Sequence, residues 1–212
     1  MIPVKVCGLT TAGDARCAVS LGAAALGFIF YAPSPRFIAP GQARIIAGAL
    51  DHPIRKVGVF VNTPSDMINT IVELVGLDLV QLSGNETPQD CRGIAVPVIK
   101  TFHVGPAFNP AVAQAYDVHA FLLDTSRVGS YGGTGQVFDW SLVDRNLFDR
   151  PLILSGGLNP DNILAGIRAV RPQAVDVCSG VEDSPGVKDR TRMELLFNVL
   201  KATESSDEQV FT

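Results

Sequence analysis

The stretch IPVKVCGLTT, residues 2–11, contains the unit from which the fold is predicted. Its apolar run through Cys7 is typical of a buried strand, Gly8 of the following turn, and the threonine pair of a helix start. Similar runs recur along the chain, separated by stretches with helical spacing, which predict helices at residues 12–21, 42–50, 65–75, 162–170 and 193–200. The eight predicted strands are residues 4–7, 25–30, 56–61, 77–82, 96–101, 120–123, 152–154 and 174–177.

The predicted strands are almost continuously apolar, which indicates burial on both faces and a parallel sheet. Eight strand–helix units in 212 residues predict an α/β fold, a (β/α)8 TIM barrel, as a single domain of residues 1–201. An open doubly wound sheet is the alternative, but it usually has fewer strands and opens with a GxGxxG fingerprint, which does not follow Val6. The polar residues 202–212 predict a disordered acidic tail.

Composition argues against several classes of function. The formal net charge of −4 argues against a nucleic-acid partner or an anionic membrane surface. The four cysteines form neither a CxxC motif nor a Cys/His cluster, so we expect no metal site and reduced thiols. With no secretory leader and no apolar run long enough to span a bilayer, we expect a cytoplasmic protein.

Two candidate catalysts follow predicted strands. A barrel builds its active site at the carboxyl ends of its strands, where Cys7 and Asp124 both fall. The alternative for Cys7 is a small apolar core residue, and for Asp124 a loop residue that binds nearby backbone amides. The sequence therefore predicts a thiol and a carboxyl at the barrel mouth.

Other residues at strand ends are suited to anions. Arg36 follows the stiff segment Pro33-Ser34-Pro35, and a guanidinium held rigidly is able to bind a carboxylate in a bidentate manner. The alternative for Arg36 is a solvent-facing side chain. Glycine turns after the last two strands resemble the phosphate cradle of barrels, although each alone is compatible with an ordinary loop. The cradle residues are Gly156, Gly157, Ser179 and Gly180. The glycine-rich residues 126–138 are predicted to cover the site, and they contain no Walker motif.

Several ordered blocks resemble one known family. They are residues 4–10, 26–30 with 34–36, 80–82, Asp124, 132–135 with 138–140, 156–160, and 175–177 with 179–182 and 185–189. Together they resemble phosphoribosylanthranilate isomerase, a (β/α)8 enzyme of tryptophan biosynthesis, over nearly the whole chain. One position departs from the family pattern, because Ser83 stands where the family usually has histidine.

The resemblance implies a role for each of these residues. Cys7 is expected to be the general base, Asp124 the general acid and Arg36 the residue that orients the anthranilate. Asp176, Gln81, Gly133 and Gly135 are expected to contact the substrate, a small phosphorylated sugar, while the cradle residues bind its phosphate. No cofactor is expected, and the assembly is expected to be a monomer or a homodimer.

The reaction implied by the resemblance is an Amadori rearrangement, which needs one acid and one base. Because strand alternation places Lys5 on the same side as Cys7, we expect Lys5 to lie beneath it and favour the thiolate. His103 is interpreted as a solvated loop histidine. Two rivals remain: the histidine-pathway aldose–ketose isomerase, whose first strand ends in aspartate, and a non-catalytic receptor for a phosphorylated ligand.

Overall fold

The computed structural model describes residues 1–50, 52–125 and 137–202. Eight parallel strands form a closed barrel in chain order, with the last strand paired to the first. They are β1 (Val4–Val6), β2 (Ala25–Ile29), β3 (Arg55–Phe60), β4 (Leu79–Leu82), β5 (Val98–Val104), β6 (Ala120–Thr125), β7 (Leu152–Leu154) and β8 (Ala174–Val177). The predicted (β/α)8 architecture is confirmed.

Six α-helices lie among the described residues. They are α1 (Ala12–Leu21), α2 (Pro40–Gly48), α3 (Ser65–Val75), α4 (Pro88–Arg92), α5 (Ile163–Val170) and α6 (Arg190–Lys201). Short 3-10 segments cover Pro110–Ala115, Trp140–Leu142, Arg145–Leu147 and Ser179–Val181, and a hairpin of β9 (Glu182–Ser184) and β10 (Val187–Lys188) precedes α6. None of the helices in the described ranges combines the length and apolar character needed to cross a membrane.

Both ends of α1 follow the signals in the sequence. The Thr11 side chain accepts a hydrogen bond from the backbone N–H of Asp14 at 3.1 Å and so caps α1. Gly22, with φ of 102°, ends the same helix in the left-handed conformation. The predicted bounds of α1 and α3 agree with the structure residue for residue, because both helices have clear boundary signals.

Two strands are longer than the sequence predicts. Strand β5 continues to Val104 and β6 to Thr125, and the two pair in parallel with His103 opposite Asp124. Their polar residues do not end the strands, because the backbone groups find partners in the neighbouring ladder. His103 therefore lies half-buried within β5, and its interpretation as a solvated loop residue is wrong.

The core has two layers. Inside the barrel, small and branched side chains pack together, namely Ala25, Val57, Leu79, Ile99, Ala120, Leu122, Ile153 and Ala174. A larger apolar layer lies between the strands and the surrounding helices. Ala202 caps α6, while residues 203–212 of the predicted tail lie outside the described residues.

Candidate active site

A cavity of about 210 Å³ opens at the carboxyl ends of the strands. It gathers most of the residues singled out in the sequence. Its lining includes Cys7, Arg36, Gln81, Asp124, Gly156, Gly157, Asp176 and Ser179. Gly133 and Gly135 lie outside the described residues, so their predicted substrate contacts stay predictions.

Cys7 follows β1 directly and is held at the base of the cavity. Its backbone N–H donates to the carbonyl oxygen of Val177 at 2.8 Å, and its side chain is only 3% exposed. A hydrogen bond from the Cys178 side chain lowers the pKa of Cys7 to about 7, against the effect of burial and with help from the charge of Lys5. A substantial fraction of this thiol is therefore ionised at neutral pH, as a thiol base requires.

Lys5 lies inside the barrel, fully buried, with Nζ 2.8 Å from Oδ1 of Asp176. Burial opposes its charge, but attraction to Asp176 and to Cys7 prevails and raises the pKa of Lys5. Ser155 Oγ donates to the other oxygen of Asp176 at 3.4 Å. Lys5 is thus a fixed buried cation near Cys7, as strand alternation predicts.

We expect the substitution Lys5→Met to shift the rising limb of the pH profile of kcat/KM upward by roughly one pH unit. A thiol base acts when deprotonated, and without Lys5 the unpaired carboxylate of Asp176 also disfavours the thiolate. The matched control is Lys56→Met, because Lys56 pairs with Asp78 at 3.0 Å away from the cavity. If the rising limb of kcat/KM is unchanged in Lys5→Met, Lys5 does not favour the Cys7 thiolate.

Asp124 projects from within β6 rather than from a loop after it. Burial raises the pKa of its carboxyl, although the backbone N–H of Thr125, 2.7 Å from Oδ1, and the nearby His103 both act in the opposite direction. Asp124 therefore does bind a nearby backbone amide, as the alternative interpretation expects. Its carboxyl nevertheless lines the cavity. Asp124 therefore holds its proton to higher pH than an ordinary aspartate, which suits a general acid.

Arg36 is 7% exposed and is bound by a carboxylate of the chain itself. Its Nε lies 2.9 Å from Oε1 of Glu182 and its Nη2 lies 2.7 Å from Oε2, a bidentate pair. Lys188 Nζ also donates to Glu182 Oε1, at 2.8 Å. Among the described residues none accepts a hydrogen bond from Nη1, so the N–H groups of this nitrogen remain for a ligand.

Glu182 is the functional residue that the sequence reasoning missed. It ends the block of residues 179–182, one of those that carry the resemblance, but a glutamate after a turn gives no signal of burial. The hydrogen bonds from Arg36 and the charge of Lys188 lower its pKa despite the opposing effect of burial. Only the fold, by packing the β9–β10 hairpin near the loop of Arg36, reveals the pair.

Gln81 on β4 is oriented by two hydroxyl groups. Its Nε2 donates to Ser83 Oγ at 3.0 Å and to Thr101 Oγ1 at 3.3 Å. Its Oε1 is buried and has no hydrogen-bond partner among the described residues, which leaves an acceptor free at the cavity. Ser83 thus supports the amide of Gln81 at the position where the family usually has histidine. The Nε2 of His103 lies 3.1 Å from the backbone carbonyl oxygen of Ser83.

The glycine turns after β7 and β8 meet at the mouth. Gly156 and Gly157 have φ of +84° and +67°, a region that favours glycine. A Cβ at Gly156 would also lie 2.8 Å from the backbone nitrogen of Thr125. Gly180 does not line the cavity; a Cβ there would collide with the carbonyl of Leu158, so this glycine allows the two turns to approach each other.

A closed parallel barrel with a thiol, a carboxyl and a guanidinium at its mouth is the arrangement of a (β/α)8-barrel enzyme. The family model for N-(5'phosphoribosyl)anthranilate (PRA) isomerase matches residues 4–199. The chain belongs to this family, and it is an isomerase of tryptophan biosynthesis.

Relatives support the assignment over almost the full length. The N-(5'-phosphoribosyl)anthranilate isomerase of Pseudomonas putida (strain GB-1) is 46% identical over 199 residues, which cover 93% of this chain and 96% of that protein. The phosphoribosyl anthranilate isomerase of Thermus thermophilus superposes with a TM-score of 0.86 at 37% identity, over 95% of this chain and 99% of that one.

A further solved structure of the family holds a ligand. It is a phosphoribosyl anthranilate isomerase in complex with reduced 1-(O-carboxyphenylamino)-1-deoxyribulose 5-phosphate. It superposes with a TM-score of 0.82 at 40% identity, and the match covers 96% of this chain and 100% of that one.

Proposed function

We propose that this enzyme carries out an Amadori rearrangement of N-(5'-phosphoribosyl)anthranilate with Cys7 as general base and Asp124 as general acid. One observation carries the proposal: the two groups line one cavity and have pKa values displaced in opposite directions. The thiol ionises near neutrality, whereas the carboxyl retains its proton longer than usual. Such a pair supplies an acid and a base at the same pH.

The acid acts first. Asp124 donates its proton to the furanose ring oxygen, the bond from that oxygen to C1 breaks, and the nitrogen lone pair forms a C1=N double bond. The Cys7 thiolate then removes the proton from C2, and the electron pair of that bond neutralises the iminium as an enolamine. Cys7 then returns a proton to C1 while the C2 hydroxyl loses its proton to the Asp124 carboxylate, which forms the C2=O bond of the ketone, 1-(2-carboxyphenylamino)-1-deoxyribulose 5-phosphate, and restores both groups. None of these steps uses a metal or an organic cofactor.

The remaining residues bind the substrate in this proposal. Arg36 offers Nη1 to the anthranilate carboxylate, because Glu182 already holds its other two donor positions. Gln81 Oε1 accepts from a hydroxyl of the substrate, and Asp176, fixed by Lys5, lies beside the sugar. The substrate contacts of Gly133 and Gly135, which lie outside the described residues, stay predictions from the sequence.

The phosphate is assigned to the turns after β7 and β8. Gly156, Gly157 and Ser179 line the cavity there, and Gly180 lets the two turns pack together. Glycine allows backbone amides to approach an anion closely, so a phosphate is bound without a lysine. A relative has been solved in complex with a reduced form of the product that carries a 5-phosphate, which supports a phosphorylated ligand for this family.

The test is turnover followed by anthranilate fluorescence. We expect purified protein to consume phosphoribosylanthranilate, with the fluorescence falling as the substrate disappears. The histidine-pathway aminoaldose phosphate is offered in a parallel reaction. Turnover of that substrate alone would favour the histidine-pathway isomerase, whereas binding of a phosphorylated ligand with no turnover of either substrate would favour the non-catalytic receptor.

A further inference from the structure

A buried cluster of charges lies behind Arg36. Glu182 binds the Arg36 guanidinium in a bidentate pair, and Lys188 lies opposite Glu182 in the β9–β10 hairpin. The side chain of Lys188 is fully buried, with Nζ 2.8 Å from Glu182 Oε1. Arg36 lines the cavity, whereas Glu182 and Lys188 do not. The three side chains therefore form a row of alternating charges, and Arg36 is the member that reaches the cavity.

The hairpin is anchored beside the loop of Arg36. The hydroxyl of Thr10, after β1, donates to the carbonyl oxygen of Gly186 in the hairpin turn. A Cβ on Gly186, where φ is +86°, would lie 3.3 Å from Thr10 Cγ2 and 3.6 Å from the carbonyl oxygen of Pro35. The backbone N–H of Gly186 also donates to Glu182 Oε1, at 3.3 Å. The backbone of the hairpin therefore helps to fix the carboxylate that orients Arg36.

Together the three side chains carry a single positive charge. Arg36 and Lys188 are both cations. Despite burial, hydrogen bonds from Arg36 and the charge of Lys188 lower the pKa of Glu182, so it is a carboxylate at neutral pH. Without the ammonium of Lys188, the guanidinium and this carboxylate would cancel. A ligand carboxylate at Nη1 would then meet a neutral ion pair and the repulsion of Glu182.

Two neighbouring charged side chains contact the backbone of this cluster. Arg192 Nη1 donates to the backbone carbonyl oxygen of Glu182 at 2.8 Å, and its Nε lies 3.5 Å from Asp189 Oδ2. Asp14 Oδ2 accepts from the backbone N–H of Lys188 at 3.2 Å. Arg192 is exposed and is screened by solvent, whereas the ammonium of Lys188 is buried against the carboxylate. Lys188 is therefore the group that offsets the charge of Glu182.

We propose that Lys188 is a positioning residue for carboxylate recognition: it neutralises Glu182, so that Glu182 orients the Arg36 guanidinium without cancelling the charge that Arg36 presents to the anthranilate carboxylate. The inference rests on the proposed contact between Arg36 and that carboxylate. It assigns separate roles to the two buried residues, because Glu182 fixes the geometry of the guanidinium and Lys188 maintains its positive charge.

The test compares two ligands that differ in the carboxylate alone. The first is reduced 1-(2-carboxyphenylamino)-1-deoxyribulose 5-phosphate, and the second is the same reduced phosphate with a phenylamino group. Titration calorimetry gives both dissociation constants, and the Kd of the second divided by that of the first measures selection for the carboxylate. In Lys188→Met and Lys188→Gln, which remove the charge without and with a hydrogen-bond donor, we expect this ratio to fall about tenfold. The Kd of the phenylamino ligand is expected to stay within about threefold of the parent.

The double variant Glu182→Gln/Lys188→Met is the rescue. It leaves Arg36 with an unopposed positive charge, and glutamine still accepts one hydrogen bond from the guanidinium. We therefore expect the ratio to return to within about threefold of the parent. The matched control is Lys56→Met, which removes the partner of Asp78 outside the cavity and is expected to change neither dissociation constant.

A purely structural role of Lys188 predicts a different pattern. Its Nζ also donates to the carbonyl oxygen of Cys178 at 3.2 Å, so its loss would displace the turn after β8. Such a displacement would weaken both ligands equally, and the double variant would not repair it. Either result, in whichever Lys188 variant folds, would overturn the inference.

The role of Lys188 and the contact of Arg36 fail separately in this experiment. A ratio in Arg36→Met equal to that of the parent would remove the proposed contact with the carboxylate, and the inference with it. Loss of selection in Arg36→Met together with full selection in the Lys188 variants would remove the role of Lys188 alone. Both measurements are made at equilibrium and do not depend on turnover by Cys7 and Asp124.

Discussion

The variant Cys7→Ser is expected to lose roughly 10²- to 10⁴-fold in kcat while the protein remains folded. Serine fits the space left beside Gly27, but its hydroxyl does not ionise near neutral pH and so does not remove the proton from C2. Single-turnover fluorescence with phosphoribosylanthranilate measures the loss, and circular dichroism checks the fold. The control Cys17→Ser changes a half-buried thiol on α1 that lies away from the cavity.

The pH dependence of kcat/KM is a second test of Cys7 as the base. A base is active when deprotonated, so with a pKa of about 7 for Cys7 the kcat/KM of the parent rises through neutrality and levels off above it. In Cys7→Ser that rising limb is expected to disappear from the accessible range. Activity near the parent level with the limb intact would show that another group removes the C2 proton.

The fold was predictable because its signals are local. Each strand shows as an apolar run and each boundary of α1 and α3 carries a cap or turn residue, so the eight units are visible in sequence. Their order around the barrel follows from chain connectivity. The lengths of β5 and β6 were not predictable, because their polar ends are stabilised by pairing with each other rather than by their own side chains.

The positions of several residues at the cavity were predictable, but their pairing partners were not. Cys7 and Asp124 were predicted from their places at strand ends, and Lys5 beneath Cys7 from strand alternation. The pairing of Arg36 with Glu182 was not, since 146 residues separate them and neither has a local signal of burial.

The variant Asp124→Asn is expected to lower kcat by about 10²- to 10⁴-fold with little change in KM. An amide of the same shape still accepts the hydrogen bond from Thr125 N–H, so the position of the side chain is retained. What is lost is the acidic proton that opens the furanose ring. The control Asp161→Asn changes an exposed aspartate outside the cavity.

The stability of Asp124→Asn distinguishes a general acid at this position from a residue needed only for folding. Burial raises the pKa of Asp124 in the folded protein, so the folded state binds its proton more tightly than the unfolded state and the charged carboxylate costs stability above that pKa. This cost is absent at low pH and appears as pH rises through the unfolded and then the folded pKa. Asparagine removes it, so we expect the urea midpoint of Asp124→Asn at neutral pH to equal or exceed that of the parent even as turnover collapses. A variant that is less stable and loses turnover only in proportion to its unfolded fraction would identify Asp124 as a structural residue instead of the acid.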